Sequence, residues 1–167
     1  MHDFSYFLGP IYEIAHGKTL FTNTSSQYGF ISILLLEFLH KIHVFNPFYL
    51  PIFTWILYVV QYFLSFWIIY KASRSVVIGL LGLFSIITVN YFSLFHLPNS
   101  YPQIGPIRWL PLIISLYLLQ KYKNIDNFNL IFFLSLLSLW NIEAGIVLFL
   151  TFVSTFFIFY SNFNREN

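Results

Sequence analysis

The 22 residues from Tyr49 to Tyr70 contain no Asp, Glu, Lys or Arg. As one helix they would be about 33 Å long, enough to cross a hydrocarbon core of about 30 Å. A second uncharged tract covers Val76 to Phe95, and largely apolar tracts cover Ile107 to Lys121, with Arg108 and Lys121 at its ends, and Phe128 to Tyr160, interrupted by Glu143. No stretch alternates in polarity long enough to make a barrel strand. With 58% hydrophobic, 23% aromatic and only 8% charged residues, against about a quarter charged in a soluble domain, the expected solvent is lipid. The last tract would be about 50 Å long as a single helix, so it must turn, and Asn141-Ile142-Glu143-Ala144-Gly145 holds its polar residues. The expected fold class is all-α: a polytopic helical membrane protein with about five transmembrane helices plus interfacial helices in a first outer loop.

A single membrane domain is expected over 1–167, with 1–48 as the outer loop and 49–167 as the bundle. Pro10 and Gly17 stand where a short helix over 9–17 would start and stop. Thr24 and Gln27 have the spacing of a capping box opening a second helix. That helix carries Glu37, His40, Lys41 and His43. Ionised groups at mid-bilayer cost about 2.5–3.5 kcal/mol each, so residues 27–44 are expected in the interface rather than across it.

Lys71 with Arg74, Lys121 with Lys123, and Arg165 are separated from one another by pairs of spans, so they fall on one face. By the excess of cations in cytoplasmic loops, that face is the cytoplasm. The HLPNSYPQIGP loop, Arg108 at its edge and the Asn141–Glu143 turn then share the outer face, joined by Asp3 unless residues 27–44 span. A net charge of +2 without a basic stripe argues against a nucleic-acid partner. The absence of cysteine excludes disulfides and thiolate metal sites.

Three polar features therefore converge: Asp3 beside His2, Arg108 after Gly105-Pro106, and Glu143 beside Asn141. Asp3 is either a solvated end or, partly desolvated at the lipid boundary, a general base. Arg108 is either an interfacial anchor or a phosphate ligand, since its guanidinium fork matches phosphate oxygens. Glu143 is either a wet loop tip or a group facing the site, the second being favoured by the shortness of the turn. His2, His16, His40, His43 and His96 lack metal-ligand spacing, so no metal residues are assigned.

Asp3, then the LGPI segment (8–11), HGK (16–18) and SQYG (26–29) opening an apolar helix, follow an order that resembles the first outer loop of the C-type (GT-C) membrane glycosyltransferases. GPIRWLPL (105–112) and LWNIEAG (139–145) are similar to later segments of bacterial members. The resemblance covers essentially the whole chain and implies a lipid-linked donor, a polyprenyl-phosphate sugar, with an acceptor that stays unspecified. It implies that Asp3 activates the acceptor hydroxyl; from charge and side, Arg108 is expected to steady the departing phosphate, and His2, Tyr28, Asn141 and Glu143 are expected to contact substrate. It also implies a bacterial plasma-membrane location with the site on the outer face. Family members are longer, so the chain is expected to match an N-terminal portion lacking the first transmembrane helix. Many relatives carry a second acid beside the first, whereas Asp3 follows His2 and the next acid is Glu13, which argues against use of a divalent metal; no cofactor is expected, a divalent metal being the lesser alternative.

Two functions compete at this level. One is sugar transfer from a polyprenyl-phosphate donor; the other is a non-catalytic membrane component that binds lipid-linked substrate or a partner membrane subunit. A transporter is disfavoured because the expected spans carry almost no ionisable residues inside.

Overall fold

Helix α1 (His2–Ala15) is built on Phe7, Ile11 and Ile14, which recur at helical spacing, the first two fully buried. The architecture is that of a computed structural model describing residues 2–26, 29–92, 105–122 and 128–163. α1 does not start at Pro10, as expected; it begins at His2 and carries Pro10 inside it. Burying Phe7 and Ile11 contributes roughly 3–6 kcal/mol, which outweighs the roughly 3 kcal/mol that an interior proline costs. The stop at Gly17 is as expected. Gly17, at φ 87°, donates to Ile14 O (2.9 Å) while Lys18 N–H reaches Glu13 O (3.0 Å), the paired bonds of a Schellman ending.

Helix α2 (Ile31–Lys41) packs on α1. The expected capping box does not open it: Thr24 sits in a tight turn with Leu20, and Gln27 lies outside the described residues. No side chain caps α2. Its first N–H groups are satisfied from another part of the chain, Ile31 donating to Leu139 O (3.3 Å) and Ser32 to Trp140 O (3.4 Å).

After a short 3₁₀ turn (Pro47–Tyr49), α3 runs Leu50–Ser73, close to the expected first span. It closes on Arg74 in the left-handed region (φ 55°), whose N–H bonds Tyr70 O at 2.8 Å. α4 (Val76–Phe92) returns along it. Gly79 and Gly82 let α4 approach, since a Cβ there would lie 2.9 Å from Phe66 and 2.6 Å from Ile69. α5 (Pro106–Lys121) runs parallel to α3, with Ile107 in the same core as Leu50 and Gln120 Nε2 donating to Ile68 O at 3.1 Å. α6 (Phe128–Ser138) and α7 (Ile142–Phe163) form a hairpin, so the last apolar tract turns close to Asn141 as expected.

All seven described α-helices are therefore placed, and the described residues contain no strand. α3 is the one helix among them long and apolar enough to cross a membrane; Val76–Asn90, Phe128–Ser138 and Ile142–Thr155 are apolar but shorter. The tightest core is not midway along these helices. Phe7, Ile11, Ile33, Leu36, Phe45, Leu50 and Ile107 bury together where α1 and α2 sit on the first turns of α3 and α5. We call this the near end; Lys71, Arg74 and Lys121 mark the far end.

α3 is inside-out. Thr54, Tyr58, Gln61 and Ser65 form its buried stripe, whereas Trp55, Ile56, Val59 and Phe63 are exposed. Water would penalise that arrangement, while hydrocarbon rewards it.

Candidate functional site

The near-end site starts from a proline. Pro111, buried within α5, has no N–H to give to the carbonyl of Ile107 one turn earlier. The indole of Trp140 supplies the missing donor, Nε1 lying 2.5 Å from Ile107 O. Its neighbour Asn141 makes a second stitch, Nδ2 donating to Arg108 O at 3.1 Å. The same side chain also starts α7, its Oδ1 accepting the Ala144 N–H at 2.7 Å in the manner of an N-cap. Asn141 is 3% exposed, and through it the first turns of α5 and α7 are held side by side.

This places two of the sequence candidates in contact. Arg108 Nη2 pairs with Glu143 Oε2. The Arg108 guanidinium also lies over the Trp109 ring, 4.8 Å from its centroid. Glu143 is the wetter partner, its side chain 55% exposed against 23% for Arg108. Glu143 is thus neither a free loop tip nor a group apart from the arginine; it fills part of the fork that could hold a phosphate.

Two glycines permit the close approach. A Cβ on Gly145 would collide with the Ser138 carbonyl, and one on Gly29, at φ 143°, with the Trp140 carbonyl. Gly29 brings the 1–44 segment against the α6–α7 turn, next to the carbonyls that cap α2.

Beside Asn141 an apolar groove of about 540 Å³ opens between Phe21, Phe30, Leu139, Ile142, Ile146 and Leu150. Phe21 and Phe30 stack at 5.9 Å across one side of it. A second apolar space of about 310 Å³, between α5, α6 and α7, shares Ser138 and Phe149 with the first. The charge-neutral Arg108–Glu143 pair and the apolar groove are thus joined through Asn141, which lines the groove and binds the Arg108 carbonyl.

Of the remaining candidates, His2 and Asp3 occupy the first turn of α1, and their side chains lie outside what is described. Tyr28 also lies outside the described residues. Among the described residues no three His, Asp or Glu side chains gather as a metal set. Glu13, on α1, is held below the ordinary carboxylate range by the neighbouring Thr24 side chain and then by Lys18, whose Nζ donates to it at 3.0 Å.

Sequence reasoning missed Pro111, Gly29, Phe21 and Phe30. A proline four residues after Ile107 was a readable sign of an open carbonyl, but nothing in the sequence names Trp140 as its donor. The chain matches no protein-family model, no curated protein and no solved structure.

Proposed function

We propose that this chain is a polytopic membrane protein, its far-end cations in the cytoplasm and its near end at the outer face. The inside-out polarity of α3 and the apolar exposure of α4 and α7 support that reading. We further propose that it is a C-type glycosyltransferase, or a portion of one, that takes its sugar from a polyprenyl phosphate. The observation that carries this is that Asn141, which lines the apolar groove with Phe30, Ile142 and Ile146, also binds the backbone carbonyl of Arg108, the residue whose guanidinium pairs with Glu143. A donor with an anionic phosphate and a long apolar tail needs both.

In the proposed step Asp3 takes the proton of an acceptor hydroxyl. The acceptor oxygen bonds the anomeric carbon, the bond from that carbon to the phosphate oxygen breaks, and polyprenyl phosphate leaves with the electron pair. Arg108 neutralises the charge that grows on the departing phosphate.

The Arg108–Glu143 pair favours a second reading. An arginine with a built-in carboxylate partner can serve as a tie between α5 and α7 in a non-catalytic membrane component. The test is release of polyprenyl phosphate from a labelled donor by membranes containing the chain, with Asp3→Asn inserted at equal level. Loss of release in Asp3→Asn supports the transferase. Retained release removes Asp3 from the mechanism, and release that needs a co-expressed partner supports the accessory reading.

A further inference from the structure

The far end carries a second, unrelated site. A cavity of about 430 Å³ lies between the last turns of α3 and α5, lined by Trp67, Lys71, Tyr117, Gln120 and Lys121. Two lysines, from different helices, line it. Each is backed by a ring rather than by an acid: Lys71 Nζ lies 4.9 Å from the Trp67 ring centroid and Lys121 Nζ 5.6 Å from that of Tyr122. Among the described residues neither lysine is in an ion pair; of the described carboxylates, Glu13 and Glu143 pair with Lys18 and Arg108, and Glu37 belongs to α2, which packs at the near end. The Gln120 amide, by donating to Ile68 O at 3.1 Å, ties the two helix ends that form the walls.

We propose that this cavity binds the phosphate of an anionic phospholipid headgroup. Lys71 and Lys121 would neutralise the phosphate and the Tyr117 hydroxyl would donate to it. The acyl chains would run along the apolar flanks of α3 below Trp67. Basic pockets between membrane helices on the cytoplasmic side have this chemistry, and the aromatic rings at its wall belong to the interfacial level. A lipid is favoured over a soluble phosphate because the cavity lies at the end of α3, the helix long enough to cross a bilayer. The inference stands apart from the glycosyl-transfer reading, and its test does not involve that activity.

The whole chain would be reconstituted in phosphatidylcholine discs with and without roughly 20 mol% phosphatidylglycerol. Retained anionic lipid would be counted by native mass spectrometry after transfer to detergent. The wild type should keep one phosphatidylglycerol. Lys71→Gln and Lys121→Gln should each weaken retention about fivefold and the double variant about 30-fold. Lys71→Arg with Lys121→Arg should keep the lipid, which shows that any loss in the glutamine variants is not misfolding. Arg74→Gln, a far-end cation outside the cavity lining, should also keep it. Equal loss in Arg74→Gln would mean a diffuse surface field and overturn the site, as would retention in the double glutamine variant. Displacement of the lipid by millimolar glycerol phosphate would overturn the lipid assignment in favour of a soluble phosphate ligand.

Discussion

The indole of Trp140 donates its N–H to the carbonyl of Ile107, the acceptor that Pro111 leaves open in α5. A helix defect on one element is thus repaired by the turn between two others, and that repair draws Arg108 toward Glu143. The relationship predicts coupling between positions far apart in sequence. Trp140→Phe should destabilise by about 1–3 kcal/mol, the cost of an orphaned buried carbonyl. In a Pro111→Ala background the new backbone N–H can serve Ile107, so the same substitution should cost less than half as much. A double-mutant cycle by chemical unfolding in micelles measures this, and strict additivity would show that the two residues do not share the acceptor.

Glycine substitutions separate close packing from simple helix propensity. At Gly145 a methyl would meet the backbone of Ser138, which cannot rotate away. Gly145→Ala should therefore cost roughly 3 kcal/mol and widen the α6–α7 hairpin. Gly9 sits inside α1 with nothing within 4 Å of the added carbon. Gly9→Ala should stabilise by about 0.5–1 kcal/mol, because alanine loses less backbone freedom in a helix. Comparable losses at both positions in a thermal melt would contradict the placement of the hairpin.

Acid should loosen the joint between α1 and the turn that follows it. The neighbouring Thr24 side chain, then the hydrogen bond and charge of Lys18, lower Glu13 from its ordinary 4.5. A group whose folded value is depressed stabilises the fold above its unfolded value, and that contribution disappears as the pH falls through the folded value. Melting temperatures of wild type and Glu13→Gln should then differ at about pH 6 and converge toward about pH 3. A gap that stays constant across this range would assign the effect of the substitution to packing.

Much of the helical order was legible because apolar length is a strong signal. The break at Asn46-Pro47, the start of α5 next to Gly105 and the stop at Gly17 all follow from local chemistry. Pro10 misled because proline marks a first turn only when nothing upstream repays extending the helix, and Phe7 does. The start of α2 was illegible for another reason. Its donors are met by carbonyls of residues 139 and 140, and a cap supplied from so far along the chain leaves no trace beside the helix it caps. At the site, charge and side were enough to group Arg108, Asn141 and Glu143. The direct pairing of the two charges, and the groove beside them, depended on Gly29 and Gly145, whose role is visible only once the neighbouring carbonyls are in place.

That pairing yields the prediction that divides the two functional readings. If Arg108 holds a donor phosphate, Glu143 competes for the same fork, and Glu143→Gln should strengthen donor binding while Arg108→Gln weakens it about 10-fold to 100-fold. Asn141→Asp tests the support beneath them. Aspartate keeps the cap on α7 but has no N–H for the Arg108 carbonyl, so the helix should persist while the guanidinium loses its position. Donor affinity should fall in Asn141→Asp, and the melting temperature should fall with it, because the carboxylate is buried and the Arg108 carbonyl loses its donor. If the pair is only a tie between α5 and α7, the difference vanishes: Glu143→Gln and Arg108→Gln should destabilise alike by roughly 0–1 kcal/mol, as for a solvent-screened pair, and donor affinity should not separate them. Titration of a fluorescent polyprenyl phosphate into the reconstituted chain, run beside its melting curve, distinguishes the two, because only the phosphate-binding role moves affinity in opposite directions for the two partners.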